Sequence, residues 1–193
     1  MWTLLQQAGI FAWPLALCSA VAVFVIAERL FALRSNNVIP QVYLDRFVQG
    51  EVPNEGDQST VAGRIVAFFY SHDVDAEQLK AFARLQISRM ERGFFVLEIV
   101  VSAAPLIGLL GTVTGLVKVF SQISPDSGLP DTAAFIEGVA LALSTTMIGL
   151  AIAIPTLVAL GYLTRRIDIY AAQLGVGVER LIALKGKTDR RSR

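Results

Sequence analysis

The sequence has a single cysteine, Cys18, and a single histidine, His72, among its 193 residues. One cysteine cannot form an internal disulfide, and so few Cys and His side chains disfavour a metal cluster or a Cys-His catalytic pair. Cys18 lies in an apolar stretch, which indicates a packing role, and His72 lies between Ser71 and Asp73, as expected of a loop. With no buried nucleophile beside a base, we expect the chain to be no enzyme and to need no cofactor or metal.

Charged residues are also scarce. They make up 17% of the chain against 54% hydrophobic residues, and the mean hydropathy is +0.57. An ordinary soluble domain carries about 25% charged residues. The net charge of +1 provides no basic surface of the kind that binds nucleic acid. The composition therefore indicates a membrane protein.

Three long apolar runs are predicted to cross a membrane, at about residues 10–33, 94–120 and 138–164. Each exceeds the roughly 20 residues that a helix needs to span the hydrocarbon core. No basic residue precedes the first run, so we expect a retained anchor rather than a signal peptide. The fold class predicted is an all-α, polytopic membrane protein with three transmembrane helices.

Lysine and arginine predict the orientation of these helices. Eight follow Thr164 and seven lie between residues 34 and 92, whereas none precedes the first run and only Lys118 follows the second. Positive residues accumulate on the cytoplasmic side. We therefore expect the N-terminus outside and the C-terminus inside, with residues 34–93 and 165–193 cytoplasmic and residues 1–193 forming one domain.

Helical patterns continue in the cytoplasmic parts. Pro40 and Gly50 bracket one short helix, Ser59 is a candidate cap for a second, and Asp75 with Gln78 forms a candidate capping box for a third. This third helix is predicted to continue into the second span. The helix of the third span is predicted to continue into the tail, where apolar residues recur at helical spacing, namely Ile167, Tyr170, Leu174, Val178 and Leu181.

Small residues recur at helical spacing in the second and third spans. They are Gly108, Gly111, Gly115, Gly138, Ala142 and Gly149. Such stripes let membrane helices approach closely, so they predict packing faces and by themselves indicate no function. If the third-span stripe joins subunits, Gly149→Leu should break the oligomer.

Threonines in the same spans are candidates for an ion pathway. Thr112 lies eight residues inside Phe120, and Thr146, which follows Thr145, lies eight inside Gly138. In antiparallel helices both would lie about 12 Å below the outer end. Their hydroxyls could hold water and relay protons, or each could bond a carbonyl one turn back in its own helix.

Two acidic residues lie beside the spans, and carboxylates near the membrane core are functional candidates. Glu137 stands at the outer end of the third span and could serve at a pore mouth or simply be solvated. Glu98 is one turn inside the second span. It could pass protons to the cytoplasm, or it could pair with Arg165 or Arg166.

A local motif adds a resemblance. Residues 104–115 read APLIGLLGTVTG, which resembles the signature of the ExbB/TolQ/MotA proton-channel family, closest to ExbB-like biopolymer transport subunits. Supporting similarities are Glu28-Arg29-Leu30, Thr145-Thr146 and Ala153-Ile154-Pro155. The resemblance covers nearly the whole chain, strongly in the second and third spans and weakly in the first cytoplasmic loop.

The resemblance implies a homopentamer in the bacterial inner membrane, in contact with lipid. The second and third helices would line a pore around an ExbD-like or TolR-like single-span partner, and the motor would act on a TonB-like or TolA-like protein. Thr112 and Thr146 match the pore threonines of the family. Leu141 stands where ExbB and TolQ usually have a glutamate, whereas MotA-like relatives also lack that acid.

Two alternatives remain at this point. One is a MotA-like or gliding stator subunit driven by H⁺ or Na⁺, although MotA-type subunits have four spans and a larger cytoplasmic domain. The other is a non-conducting membrane scaffold, in which the small residues only pack helices.

Overall fold

A computed structural model describes residues 8–49, 57–71, 74–121 and 132–191. These residues form α-helices joined by turns, after an initial 3-10 turn at Gly9–Phe11. The α-helices of the described part are α1 (Ala12–Ala32), α2 (Ser35–Val38), α3 (Gln41–Gln49), α4 (Val61–Ser71), α5 (Ala76–Met90), α6 (Phe94–Ser121) and α7 (Thr132–Arg191).

Three stretches of helix are long and apolar enough to cross a membrane: Gly9–Ala32, Ala76–Ser121 and Phe135–Gly186. They cover the three runs predicted from the sequence, the first to within one residue, so the all-helical fold with three long apolar helices is confirmed. Large apolar side chains on them face outward, among them Phe24, Leu106 and Val158. Such a surface suits lipid, where helices satisfy their own backbone hydrogen bonds.

The predicted continuation of α5 into the second span is wrong. α5 ends at Met90, residues 91–93 form a turn, and α6 begins at Phe94. Gly93 has a φ of +90°, which side-chain-bearing residues rarely adopt. A glycine at this point therefore lets the chain leave one helix and begin the next.

The helix starts follow local capping chemistry. Asp75 and Gln78 form the predicted capping box, with the Gln78 N–H 2.7 Å from Asp75 Oδ1. The cap of α4 differs from the prediction by one residue, because Thr60 rather than Ser59 accepts from the Gly63 N–H, at 3.0 Å. The Ser59 hydroxyl instead donates to the Asp57 carboxylate at 2.7 Å.

The first of two compact units comprises the described residues within 8–27 and 93–161. It contains α1 as far as Ala27, all of α6 and the first half of α7. Leu15, Ala104 and Ala153 form a small buried cluster where the three helices meet. Gly9 lies near Leu141, so α1 and α7 run in the same direction.

The second unit comprises the described residues within 28–92 and 162–191. The predicted apolar stripe of the α7 tail is buried here, from Ile167 to Leu181. A Cβ at Gly177 would stand 2.7 Å from the Phe47 ring, which shows that the glycine backbone lies against that ring. Phe68 and Phe82 stack at a centroid distance of 4.1 Å and join α4 to α5.

Candidate ion pathway

The helices α6 and α7 are in backbone contact within one chain. A Cβ at Gly108 would lie 2.9 Å from the Thr145 carbonyl oxygen, and a Cβ at Gly149 would lie 2.6 Å from that of Ala104. Gly115 and Gly138 face each other farther along the pair. The small residues therefore pack two antiparallel helices of the same protomer. In particular, Gly149 faces its own α6, and the effect of Gly149→Leu on the oligomer stays a prediction.

Thr145 is the most enclosed of the three candidate threonines. Its exposed fraction is 0%, and its side chain lies against Gly111. Its hydroxyl donates to the Leu141 carbonyl oxygen at 2.8 Å, with that of Ala142 at 3.1 Å. Thr145 therefore fills the contact between the helices, and its hydroxyl is satisfied one turn back in α7.

Thr146 makes a different hydrogen bond. Its half-buried hydroxyl donates across the helix pair to the carbonyl oxygen of Gly108, at 3.3 Å. In an α-helix the same carbonyl accepts the N–H four residues later, which is that of Thr112. Thr146 therefore lies beside Gly108, and Thr112 lies about one turn farther along α6, so the Gly108 carbonyl links two residues that are one turn apart.

The Thr112 hydroxyl donates to the Leu109 carbonyl oxygen of its own helix at 2.6 Å. Of the two roles left open by the sequence, bonding one turn back therefore applies to Thr112 and Thr145, whereas Thr146 bonds between helices. A hydroxyl keeps acceptor capacity after donating its proton. The half-buried Thr112 and Thr146 oxygens can therefore still accept a hydrogen bond.

The two acidic candidates lie at different places. Glu137 is exposed, and its Oε1 accepts from Lys118 Nζ at 2.7 Å, which joins the start of α7 to the end of α6. Glu98 is exposed, and the described part of the first unit offers it no ion-pair partner. Glu137 therefore joins two helices, and its role at a pore mouth stays a prediction.

An open cleft of about 870 Å³ lies beside this ion pair. Its wall includes Gly9, Thr114 and Leu141, and the Lys118–Glu137 pair supplies its charged groups. Leu141 gives this part of the wall an apolar side chain. Among the described residues no group of three Cys, His, Asp or Glu side chains could hold a metal ion.

Sequence reasoning missed two groups at this site. Lys118 is the ion-pair partner of Glu137, and its signal was the presence of opposite charges at the joined ends of two antiparallel spans. The Gly108 carbonyl accepts from Thr146, and no side-chain pattern could identify it because every residue has a carbonyl.

Comparison with known proteins identifies the family of this site. Residues 57–175 match the MotA/TolQ/ExbB proton channel family. This chain belongs to that family. The matched residues include all of α6 and the membrane part of α7, so the helix pair described above lies within the MotA/TolQ/ExbB match.

Similar members of the MotA/TolQ/ExbB family come from several organisms. Biopolymer transport protein exbB1 of Vibrio cholerae is 30% identical over 166 residues, which cover 78% of this chain and 73% of that protein. Biopolymer transport protein ExbB of Helicobacter pylori is 34% identical over 100 residues, covering 51% and 68%. A putative biopolymer transport protein ExbB homolog of Methanothermobacter thermautotrophicus is 39% identical over 84 residues, covering 44% and 29%.

Proposed function

We propose that this chain is a proton-conducting subunit of an ExbB–ExbD or TolQ–TolR type motor in the bacterial inner membrane. The observation that carries the proposal is the match to a proton-channel family across both α6 and α7. The relatives described above are named biopolymer transport proteins. The motor would use the proton-motive force for transport across, or work on, the outer membrane.

The proposed assembly is a homopentamer with its N-terminus outside and its C-terminus inside. Packing of α6 on α7 leaves apolar side chains exposed on both helices, for example Leu109 and Val113 on α6 and Met147 and Leu150 on α7. These faces are available to other copies of the chain, to lipid and to the helix of an ExbD-like or TolR-like partner. That partner would in turn act on a TonB-like or TolA-like protein.

The carboxylate that carries the proton would come from the partner. The third span has no acid between Gly138 and Thr164, and Leu141 occupies the family glutamate position. Thr112 and Thr146, linked by the Gly108 carbonyl, would order water or accept a hydrogen bond beside the partner carboxylate. Each proton would release about 2.3 kcal/mol per 100 mV.

Reconstitution tests this proposal. The purified chain is placed in liposomes with a pH-sensitive dye and a potassium diffusion potential, alone and with its single-span partner. We expect proton entry with the partner and none when the Asp in the partner helix is replaced by Asn. Undiminished entry with the Asn variant would contradict the proposal. A sodium gradient in place of the proton gradient would identify a sodium-driven, stator-like subunit.

A second candidate is a non-conducting membrane scaffold. It is favoured by the hydroxyls of Thr112 and Thr145, which are bonded within their own helices, and by the backbone contact of α6 with α7. A scaffold would bind its partner but pass no ions. Co-purification of the partner together with zero flux would support it.

A further inference from the structure

A hydrogen bond joins the residue that follows α1 to α7, near the ends of the first and third apolar runs. The hydroxyl of Tyr170 donates to the carbonyl oxygen of Leu33 at 3.1 Å. Arg29 precedes Leu33 by four residues and Arg166 precedes Tyr170 by four. Because four residues make about one helical turn and the two helices run in the same direction, both arginines lie one turn before this bond. The hydrogen bond therefore places the backbones of the two arginines at about one level.

Arg166 is held in place from two directions. Its Nη2 donates to the Tyr170 hydroxyl at 3.0 Å, and its guanidinium carbon lies 5.7 Å and 5.8 Å from the ring centroids of Tyr162 and Tyr170. A guanidinium has five N–H donors in a planar fork. The half-buried Arg166 is thus oriented before any ligand arrives, with donors beyond the one that Tyr170 accepts.

Arg29 has a donor without an acceptor. The residue is only 9% exposed, and its Nη2 pairs with Glu28 Oε1 at 2.7 Å. Its Nε is buried and has no hydrogen-bond partner among the described residues. Buried polar groups nearly always have a partner, so an unpaired one requires an explanation. The described part of the chain supplies no acceptor for this donor.

The position of the two arginines indicates the source of an acceptor. Charge-free sequence ends at Ala27 in the first span and at Thr164 in the third, so each arginine comes two residues after a charge-free stretch. This is the depth of lipid headgroups. Residues 28–34 and 162–170 together contain four arginines and two acids, a net charge of +2. The aromatic residues Phe31 and Tyr162 are exposed there, as is typical of a membrane interface.

We propose that Arg29 and Arg166 bind the phosphate of an anionic phospholipid at this edge of the membrane. Phosphate oxygens are acceptors that match the guanidinium fork, and a lipid phosphate stands at the depth where these arginines lie. The bound lipid would hold α1 and α7 together beside the Tyr170–Leu33 bond. The inference rests on the membrane placement of the helices and is independent of ion conduction.

Native mass spectrometry of the detergent-solubilised full chain tests the site. The probes are phosphatidylglycerol, phosphatidylethanolamine and inorganic phosphate at equal concentrations. We expect wild type to retain phosphatidylglycerol and Arg166→Gln to bind it about tenfold more weakly, since a charge-assisted hydrogen bond is lost. The matched control is Arg165→Gln, which removes the same charge from an adjacent exposed residue and should stay within twofold of wild type.

Several results would overturn the inference. The first is an equal loss of lipid binding in Arg165→Gln, which would indicate diffuse electrostatic attraction. The second is full lipid binding in Arg166→Lys, which keeps the positive charge but lacks the planar guanidinium. The third is displacement of the lipid by inorganic phosphate. Tyr170→Phe removes only the hydroxyl that positions Arg166, and it should weaken binding while leaving helical content unchanged. Unchanged binding in Tyr170→Phe would also contradict the site. Proton flux is not among the readouts, so the lipid site and the proposed function can fail separately.

Discussion

The hydroxyl of Thr146 donates a hydrogen bond of 3.3 Å to the carbonyl oxygen of Gly108 on the adjacent helix. The neighbouring Thr145 is fully buried and bonds back to its own helix. Two consecutive threonines therefore have different roles. Thr145 packs the pair, and Thr146 joins the two helices through its hydrogen bond.

Thr146→Val should abolish energised transport while leaving the protein folded. Hydrogen bonds between membrane helices contribute about 0.6 kcal/mol on average, so losing this one should lower stability by less than about 1 kcal/mol. We expect Thr112→Val likewise to abolish energised transport while the protein stays folded. The measurements are partner-dependent proton flux and thermal melting in detergent.

The control for these variants is Thr156→Val. Thr156 lies on the same helix, is buried, and donates to the Ile152 carbonyl oxygen one turn back at 2.7 Å. Because it has no place in the proposed pathway, its replacement should leave flux unchanged. Wild-type flux in both Thr112→Val and Thr146→Val would show that no proton path uses these hydroxyls.

Gly149→Ala should destabilise the protomer itself. The added methyl would stand 2.6 Å from the Ala104 carbonyl oxygen, and overpacking typically costs about 1–3 kcal/mol. Gly161→Ala is the matched control, since its Cβ would meet no atom of the chain within 4 Å. Thermal melting compares the two. An intact fold with a dissociated oligomer in Gly149→Ala would instead place the stripe between subunits.

Breaking the Lys118–Glu137 pair should have a mild effect. Glu137→Gln is expected to lower stability by about 0.2–1 kcal/mol, the usual contribution of an exposed ion pair, and to reduce transport only partly. A Lys118→Glu, Glu137→Lys double variant should recover stability because the pair is restored with reversed charges. Complete loss of proton flux in Glu137→Gln alone would mean that Glu137, one turn outside Leu141, takes the role of the glutamate found in the third span of ExbB and TolQ.

The proposed orientation predicts opposite accessibility for two single cysteines. A cysteine at Asp126, which lies outside the described residues, should react with an impermeant reagent in intact spheroplasts. A cysteine at Arg190 should react only after permeabilisation, because the basic tail keeps it inside. Each single cysteine is introduced into the Cys18→Ser variant, which has no other cysteine to react. Labelling at position 190 in intact spheroplasts would reverse the topology.

Acidic pH should weaken the start of α4. The Ser59 hydroxyl and then its backbone N–H donate to Asp57 and hold the pKa of that carboxyl below its ordinary value of 3.8. The resulting stabilisation is fully present above that value and is lost as the pH falls through the folded-state pKa. Ser59→Ala should raise the pKa towards 3.8, and Ser59→Thr should keep it low. Carboxyl ¹³C chemical shifts of Asp57 report the titration, and identical curves for wild type and Ser59→Ala would contradict the account.

Features that depend on a few neighbouring residues were predictable. The capping box needs only Asp75 and Gln78, three positions apart, and it formed as predicted. The turn at Gly93 was missed because the helical pattern continues on both sides of it, and only the backbone angle shows the break. The shift of the α4 cap to Thr60 has a similar cause, since Ser59 had a competing acceptor in Asp57.

The sequence by itself determined the class of protein. The length of an apolar run determines whether its helix can cross a membrane, and a twelve-residue motif indicates a family. Only the tertiary structure decided the partners of the polar groups. Thr146 meets a carbonyl 38 positions away and Tyr170 one 137 positions away. Such pairs depend on the register and direction of packed helices. Periodicity specifies which face of a helix is buried, whereas the atom opposite a given hydroxyl is set by how small residues let two backbones approach.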